Sequence, residues 1–323
     1  MPVQSQDQVL PTPRDSITFR VMNHQPGILA DVPRTARFVV AGFKPKQPPK
    51  QQKEDALAAL KLLSTLELPK GAVIGLGQPL ISAAKIQIEG LRPFTALRTP
   101  MIAYPSTQGA LWTYFPGEDP GETLLSARNF FAALGPDFQI EEDVLAYKYA
   151  EGRDLSGYED GTENPKDEKA LAAAIVAGAG NDPSGMAGSS FVAAQRWVHD
   201  LKKMDKMSQE ERDHVIGRDR VTNEELADAP VSAHVKRAAQ ESYTPPAFML
   251  RRSMPWGNVK AHGLYFVAFG ASLDPFEQVL RRMAGLEDGI PDALARFTAP
   301  VSGGYYWCPP MKDGRLNLRV LDL

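Results

Sequence analysis

Two segments in the second half of the chain carry residue types suited to proton transfer and charge stabilisation. "VSAHVKRAAQ" contains His234, and seventeen residues later "MLRRSMPWG" places Arg251 beside Arg252. The second segment is typical of an apolar strand, and side chains alternate along a strand, so one of the two arginines must point inward. A buried arginine requires an anion or another hydrogen-bonding partner, which could be a structural or a functional carboxylate.

A third segment, "GYEDGTENP" at residues 157–165, is unusually polar for the middle of a globular chain. Its nine positions hold two Gly, one Pro, one Asn and three carboxylates, and we expect none of them to fill a core. Asp160 precedes Gly161 in what must be a tight loop. The plain alternative is that Asp160 only forms the turn, because Asp is a common turn residue.

Several other chemistries lack a motif. None of the five histidines forms a His-Glu-x-x-His pair, and the single cysteine, Cys308, excludes a disulfide framework or a multi-cysteine metal site. Covalent haem attachment, a Gly-x-Ser-x-Gly nucleophile and a Gly-rich nucleotide loop have no matching pattern either. By default His199, His214 and His262 are interpreted as structural, and a surface position is the plain alternative for His234.

Taken together, Asp160, His234 and Arg251 make the chain resemble the dye-decolorizing peroxidase family, most closely its bacterial intracellular branch. The Gly-x-x-Asp-Gly core with a trailing Asn-Pro is highly specific, and the resemblance extends from about residue 27 to 311. The segments that carry it are "DLSGYEDGTENP" (154–165), "FVAAQRWVHDL" (191–201), "HVIGR" (214–218), "SAHVKR" (232–237), "LRRSMPWG" (250–257), "HGLYFVAF" (262–269) and "FTAPVSGGYYW" (297–307).

The resemblance implies a non-covalent haem b with His234 as proximal iron ligand and Asp160 and Arg251 as the distal pair. Haem peroxidases need one axial imidazole and one open side. A positioned carboxylate suits the proton transfer within peroxide, and a fixed cation stabilises charge along the breaking O–O bond. The implied partners are hydrogen peroxide and small organic reductants, dye-like or phenolic.

Further site residues follow from the same resemblance. Ser253 stands where relatives often have a distal Asn, Arg218 is expected to pair with a haem propionate, and Gly161 is expected to let the backbone approach the porphyrin. A carboxylate should also hydrogen-bond the second nitrogen of the proximal His234. Asp292 is the candidate, with a helix-capping role as the alternative, whereas Asp288 in its Gly turn is expected to be solvated.

Composition excludes some partner classes. The 323 residues carry a net charge of -3, from 36 basic and 39 acidic residues, which gives no electrostatic case for nucleic acid or anionic membrane as a partner. The longest apolar run, 170–179, is far below the roughly 20 residues that span a bilayer.

With no secretory signal visible, a cytoplasmic protein is expected, and a homo-oligomer. The C-terminal tail has no clear encapsulin-docking signature, so association with an encapsulin shell stays open.

The elements that must position these residues follow a pattern that occurs twice. "ALWTYFPGEDPGETLL" (110–125) gives an aromatic strand and then Asp119, Pro120 and Glu122 at a helix start; "GLYFVAFGASLDPFEQVL" (263–280) repeats the pattern with Asp274 as the cap. An Asp-Pro-x-Glu cap is common by itself, but the shared strand-then-helix order favours a duplicated unit.

The mixed order of strands and helices in each half favours an antiparallel α+β fold. The family resemblance implies that this α+β protein consists of two ferredoxin-like halves with antiparallel sheets, the haem lying in the C-terminal half, in agreement with the duplication. We expect an extended arm at 1–30, an N-terminal half at 31–150 and a C-terminal half at 151–323. Tyr305, Tyr306 and Trp307 are expected to be mainly core, with relay of oxidising equivalents as an alternative. Two other functions stay open: a haem-binding protein in haem or iron handling without peroxidase turnover, and a haem-free regulator.

Overall fold

The computed structural model describes residues 23–44, 51–178 and 184–322. Residues 1–22 of the predicted N-terminal arm therefore lie outside the described residues. The described part of the arm is packed: the fully buried amide of Gln25 donates to the carbonyls of Ile74 and Pro309 and accepts from the Ile74 N–H. These bonds join the arm to both halves of the chain.

The described residues form strands and helices in mixed order. The strands are β1 (Thr35–Phe43), β2 (Val73–Gly77), β3 (Leu97–Arg98), β4 (Ala103–Tyr104), β5 (Leu111–Gly117), β6 (Phe138–Tyr147), β7 (Ser190–His199), β8 (Leu250–Arg251), β9 (Met254–Gly257), β10 (His262–Gly270), β11 (Thr298–Pro300), β12 (Gly304–Cys308), β13 (Met311–Lys312) and β14 (Arg315–Leu316). The helices are α1 (Gln52–Thr65), α2 (Gln78–Ala83), α3 (Pro120–Leu134), α4 (Asp167–Ala174), α5 (Leu201–Asp205), α6 (Gln209–Ile216), α7 (His234–Arg237) and α8 (Asp274–Met283).

Eight strands close into one antiparallel ring, in the order β7–β12–β2–β5–β1–β6–β9–β10 and back to β7. Each half contributes four consecutive members. Numbered within its own half, each set has the order 4-1-3-2: β6–β1–β5–β2 in the first half and β12–β7–β10–β9 in the second. The α+β class with antiparallel sheets and the duplicated unit are confirmed, because α3 and α8 each follow the third strand of their half.

The predicted second helix cap is wrong. Asp119 does cap α3, accepting from the N–H groups of Gly121 and Glu122. At α8 the N-cap is Leu273, and Asp274 lies inside the helix. Its carboxylate accepts from Arg92 of the first half at 2.7 Å, and Glu277 also pairs with Arg92, at 2.8 Å. The Asp274 side chain, which the local pattern assigned to the helix cap, therefore forms a long-range ion pair instead.

The ring separates two apolar regions. Its interior is packed with aromatic rings, including Phe38, Trp112 and Tyr265, with Phe38 and Tyr265 stacked at 4.2 Å between centroids. Helices cover the outer face, and in the second half α8 packs over β10. Within the described ranges, no helix is both long and apolar enough to cross a bilayer.

Candidate active site

A cavity lies between the sheet and the helices of the C-terminal half. The structure brings the three central predicted residues, Asp160, His234 and Arg251, to its walls. Most of the remaining lining is apolar: β10 contributes Leu264 and Phe266, and α8 contributes Phe276, Val279, Leu280 and Met283. The cavity is thus an apolar space with a few convergent polar groups, as expected of a cofactor site.

His234 is the first residue of α7 and is oriented by a carboxylate from another segment. Its Nδ1 lies 2.7 Å from Oδ2 of Asp292, a side chain only 3% exposed. A carboxylate only accepts hydrogen bonds, so Nδ1 is the donor, and in the neutral imidazole Nε2 then keeps its lone pair. Oδ1 of Asp292 accepts from the Leu294 N–H at 2.9 Å, so Asp292 also caps the short helix Ala293–Arg296.

Helix α7 is fastened to the loop that carries Asp292. Arg237, 3% exposed, donates to both carboxylate oxygens of Asp288 at 2.7 and 2.8 Å and to the carbonyl of Arg282. Asp288 is therefore not merely solvated, contrary to expectation; it is the partner of a buried arginine, which lowers the pKa of its carboxyl below the ordinary value. A four-residue helix has little stability of its own, so this ion pair helps to hold α7 against the loop, while Asp292 orients the imidazole.

Asp160 lies on the polar loop singled out in the sequence. The loop is held by Asp160 N–H donating to the Gly152 carbonyl, and by Gly161 with φ +75°. Loss of hydration raises the pKa of Asp160; Arg251 lowers it and Asp154 raises it again, leaving it above the ordinary value. The expectation that nothing in this loop fills a core is wrong, because Tyr158 is buried against Met204, Val215 and Phe297.

Arg251 reaches the cavity from β8, and the alternation argument is confirmed. Arg252 points to the other side, where its guanidinium donates to the carbonyls of Ala30 and Leu29. Arg251 pairs with Ala268 of β10, on the cavity face of the sheet. Its Nε is buried without a hydrogen-bond partner among the described residues, so a donor is left over at the cavity wall.

The structure places three other predicted residues away from the main cavity. Ser253 and Gly161 line a smaller cavity, which shares Asp160 and Arg251 as walls with the larger one. Arg218 lines neither; its guanidinium pairs with Glu163 at 2.5 Å and donates to the Asn223 carbonyl.

The glycines of the loop have a local explanation. A Cβ on Gly161 would lie 2.8 Å from Nδ2 of Asn164, and one on Gly157 would lie 2.5 Å from Nε of Arg220. Both glycines also have positive φ, which disfavours a side chain. They make room for neighbouring protein side chains, and Gly161 is not among the residues lining the main cavity.

His199 and Asp154 form a cavity-wall pair that the sequence interpretation missed. His199 Nε2 lies 3.0 Å from Asp154 Oδ1, and its Nδ1 lies 2.7 Å from Thr298 Oγ1. The Thr298 hydroxyl also donates to the Val198 carbonyl at 3.1 Å. Burial opposes the charge of Asp154, but His199 outweighs burial and lowers the pKa of this carboxyl.

Gln195 is a second missed residue. It is 2% exposed and lines the cavity; its Oε1 accepts from Trp197 Nε1 at 3.1 Å, while its Nε2 has no partner among the described residues. Strand alternation was the available signal for both missed residues, because Gln195, Trp197 and His199 are alternate positions of β7 and all line the cavity.

Comparisons with known proteins find related sequences and related solved structures. Residues 151–313 match the family model described as "Dyp-type peroxidase, C-terminal". The dye-decolorizing peroxidase of Mycobacterium tuberculosis is 30% identical over 225 residues, 68% of this chain and 66% of that protein. The enzyme of the same name from Brevibacterium linens is 28% identical over 226 residues, 68% of this chain and 61% of that protein. The chain thus spans slightly less than two thirds of these relatives.

Solved structures match over more of the chain. The dye-decolorizing protein of V. cholerae superposes with a TM-score of 0.74 at 28% identity, covering 88% of this chain and 96% of that one. A variant of DypB from Rhodococcus jostii, solved in complex with heme, gives a TM-score of 0.75 at 26% identity over the same shares.

Proposed function

Because the chain belongs to the Dyp-type peroxidase family, we propose that it is a haem b peroxidase that reduces hydrogen peroxide and oxidises small organic donors, dye-like or phenolic. One observation carries the proposal: a carboxylate-oriented imidazole, His234 with Asp292, shares an apolar cavity with Asp160 and Arg251. The two curated relatives described above are dye-decolorizing peroxidases by name, which supports the choice of donors.

The residues present fit a haem. The cavity is lined mainly by apolar side chains, which suits the apolar faces of a porphyrin ring. His234 offers a free Nε2, and the absence of a Cys-x-x-Cys-His motif favours non-covalent binding. Among the described residues no group of three or more His, Cys, Asp or Glu is arranged to hold a bare metal ion. A single imidazole is enough for haem.

Haem, when bound, supplies the iron and the electrons that break the peroxide O–O bond. His234 would hold the iron through Nε2. The negative charge of Asp292 at Nδ1 makes that imidazole a stronger electron donor and fixes its orientation.

Asp160 would move the proton. Its carboxylate takes a proton from one peroxide oxygen and returns it to the other, which leaves as water. A base is most effective when its pKa approaches the working pH, and burial raises the pKa of Asp160 in that direction. The smaller cavity, which also reaches Asp160 and Arg251, offers peroxide a route to this carboxylate separate from the apolar space.

Arg251 would stabilise the charge that develops as the O–O bond breaks. Its guanidinium offers only donors, and its unpaired Nε is a donor that has no acceptor among the described residues. Fixed donors of this kind act without reorganising during the reaction, which makes their electrostatic effect large.

The alternative is a haem-binding protein in haem or iron handling without turnover. A passive carrier has no need of a proton shuttle, so Asp160 and Arg251 at the cavity favour the peroxidase. Reconstitution with haem tests the proposal: the wild type should show a Soret band and oxidise a phenolic donor with peroxide, and His234→Ala should lose most of the band. A His234→Ala protein with an unchanged spectrum would overturn the ligand assignment, and a Soret band without turnover would favour the carrier.

A further inference from the structure

β8 is the last strand of its sheet, so its outer edge has no neighbouring strand to satisfy its backbone. On the inner side Arg252 N–H donates to the Val267 carbonyl of β10 at 2.9 Å. Backbone groups alternate in direction along a strand, so the N–H and C=O of Arg251 point outward. An exposed strand edge of this kind is free to shift or to pair wrongly.

The side-chain amide of Asn164 takes the place of the missing strand. Its Oδ1 accepts from Arg251 N–H at 2.9 Å, and its Nδ2 donates to the Arg251 carbonyl at 3.0 Å. The two bonds also determine which end of the Asn164 amide is oxygen and which is nitrogen. The Arg251 N–H needs an acceptor, and the Arg251 carbonyl needs a donor. Arg251 is thus held on one side by β10 and on the other by a side chain.

The loop that supplies Asn164 is the one that supplies Asp160, four residues earlier. A turn closes between them, with Asn164 N–H donating to the Gly161 carbonyl at 2.9 Å. Glycine suits position 161 because its φ is +75° and because a Cβ there would lie 2.8 Å from Nδ2 of Asn164. Pro165 follows and restricts Asn164 to an extended backbone. The spacing of the polar motif therefore links the carboxylate to the backbone of the arginine.

We propose that Asn164 is a positioning residue that fixes the guanidinium of Arg251 relative to the carboxylate of Asp160. This inference rests on the proposed function, in which both groups act on peroxide. Asn164 bonds the backbone of Arg251 and lines the smaller cavity but not the larger one, so it acts through Arg251 and leaves haem binding in the larger cavity intact.

Asn164→Ala removes both backbone bonds and frees β8, a strand of only two residues, at its outer edge. A misplacement of about 1 Å can cost about 10²-fold in rate. The haem-loaded variant should therefore react with peroxide about 10- to 100-fold more slowly than the wild type in stopped-flow mixing, with an unchanged Soret band. Thr162→Val is the matched control: it removes a loop bond to Asn223, two residues from Asn164, and should react at close to the wild-type rate.

The double variant separates positioning from a general structural effect. If Asn164 acts through Arg251, Asn164→Ala should slow Arg251→Leu no further, because the group being positioned is gone. Equal slowing in both backgrounds would overturn the inference, as would a wild-type rate for Asn164→Ala. A wild-type rate for Arg251→Leu would instead refute the proposed role of Arg251, so the two failures are distinguishable.

Amide hydrogen exchange of the haem-loaded protein gives a readout independent of activity. The Arg251 N–H should exchange faster in Asn164→Ala than in the wild type. In Asn164→Asp a carboxylate oxygen still accepts from this N–H, so exchange should remain slow, and this variant carries the test if Asn164→Ala does not fold. Unchanged exchange in Asn164→Ala, or equal loss of protection in both variants, would overturn the substitute-strand geometry.

Discussion

Asp292→Asn tests whether the carboxylate of Asp292 makes the His234 imidazole a stronger electron donor. Both carboxylate oxygens are in use: Oδ2 at Nδ1 of His234, 2.7 Å away, and Oδ1 at the Leu294 N–H, 2.9 Å away. An asparagine side chain offers a single acceptor oxygen in their place. If the asparagine oxygen accepts from the Leu294 N–H, the asparagine NH2 group faces Nδ1 of His234. If the oxygen accepts from His234 instead, the NH2 group faces the Leu294 N–H. Either way one buried donor loses its partner, and the negative charge beside the imidazole is lost.

The size of the effect follows from the burial of this pair. Asp292 is 3% exposed, so solvent screens the interaction little. A hydrogen bond to a charged group contributes about 1.5–3 kcal/mol. If that whole contribution distinguishes ferric from ferrous iron, its loss raises the one-electron reduction potential by about 60–130 mV, since a tenfold change is about 59 mV. The sign is upward because a less donating imidazole stabilises the ferric state less.

Spectroelectrochemical titration of the haem-loaded variant beside the wild type measures this shift. Asp288→Asn is the control, because it weakens the ion pair of the same loop with Arg237 and leaves the contact of Asp292 with His234 in place. It should keep a potential close to that of the wild type. An unchanged potential in Asp292→Asn would refute the argument and leave Asp292 with its capping role alone, and an equal shift in both variants would assign the effect to the loop.

Three further predictions concern the cavity. In a titration of haem-free protein with haem, His234→Ala should bind at least about 10-fold more weakly than the wild type; equal affinity would contradict axial ligation. With haem bound, Arg251→Leu should slow the reaction with peroxide by about 10²- to 10³-fold, and Asp160→Asn should slow it by about 10²- to 10⁴-fold. Stopped-flow mixing measures both rates, and wild-type rates in both variants would refute the roles proposed for Arg251 and Asp160. Asp160 acts as a carboxylate and its pKa is raised, so the peroxide rate should fall as the pH drops through a value above that of an ordinary aspartate. The Asp154 charge contributes to this rise, so Asp154→Asn should move the acid limb of the pH–rate profile to lower pH, and an unmoved limb would show that the two carboxylates are not coupled.

The repeated strand and helix starts were readable from the sequence because they are local patterns. Aromatic strands followed by Asp-Pro-x-Glu predicted the units that became β5 with α3 and β10 with α8. The closure of both halves into one ring was not predictable in this way, because it depends on pairing between distant segments, such as Tyr306 of β12 with Gly77 of β2. The Asp274 cap failed for a similar reason, since Arg92 comes from the other half.

At the site, strand alternation was sufficient to predict that Arg251 and Arg252 lie on opposite faces. The partners of charged side chains were harder to predict. The family resemblance assigns Arg218 to a propionate, yet its guanidinium is paired with Glu163. The sequence alone leaves His199 as an ordinary structural histidine, and only the fold shows it at the cavity wall, bonded to Asp154 from the polar loop. Neither contact follows from spacing, because each joins segments far apart in the chain.

The absorbance change of the haem-loaded wild type on stopped-flow mixing with hydrogen peroxide tests the central claim most directly, with Asp160→Asn/Arg251→Leu as the matched variant. We predict a Soret band that changes at a rate proportional to peroxide concentration and returns when a phenolic donor is added, and a reaction slowed at least about 10²-fold in the double variant. A purified protein that takes up no haem, or a haem-loaded wild type whose spectrum peroxide changes no faster than that of the double variant, would contradict the assignment of this cavity to peroxide reduction.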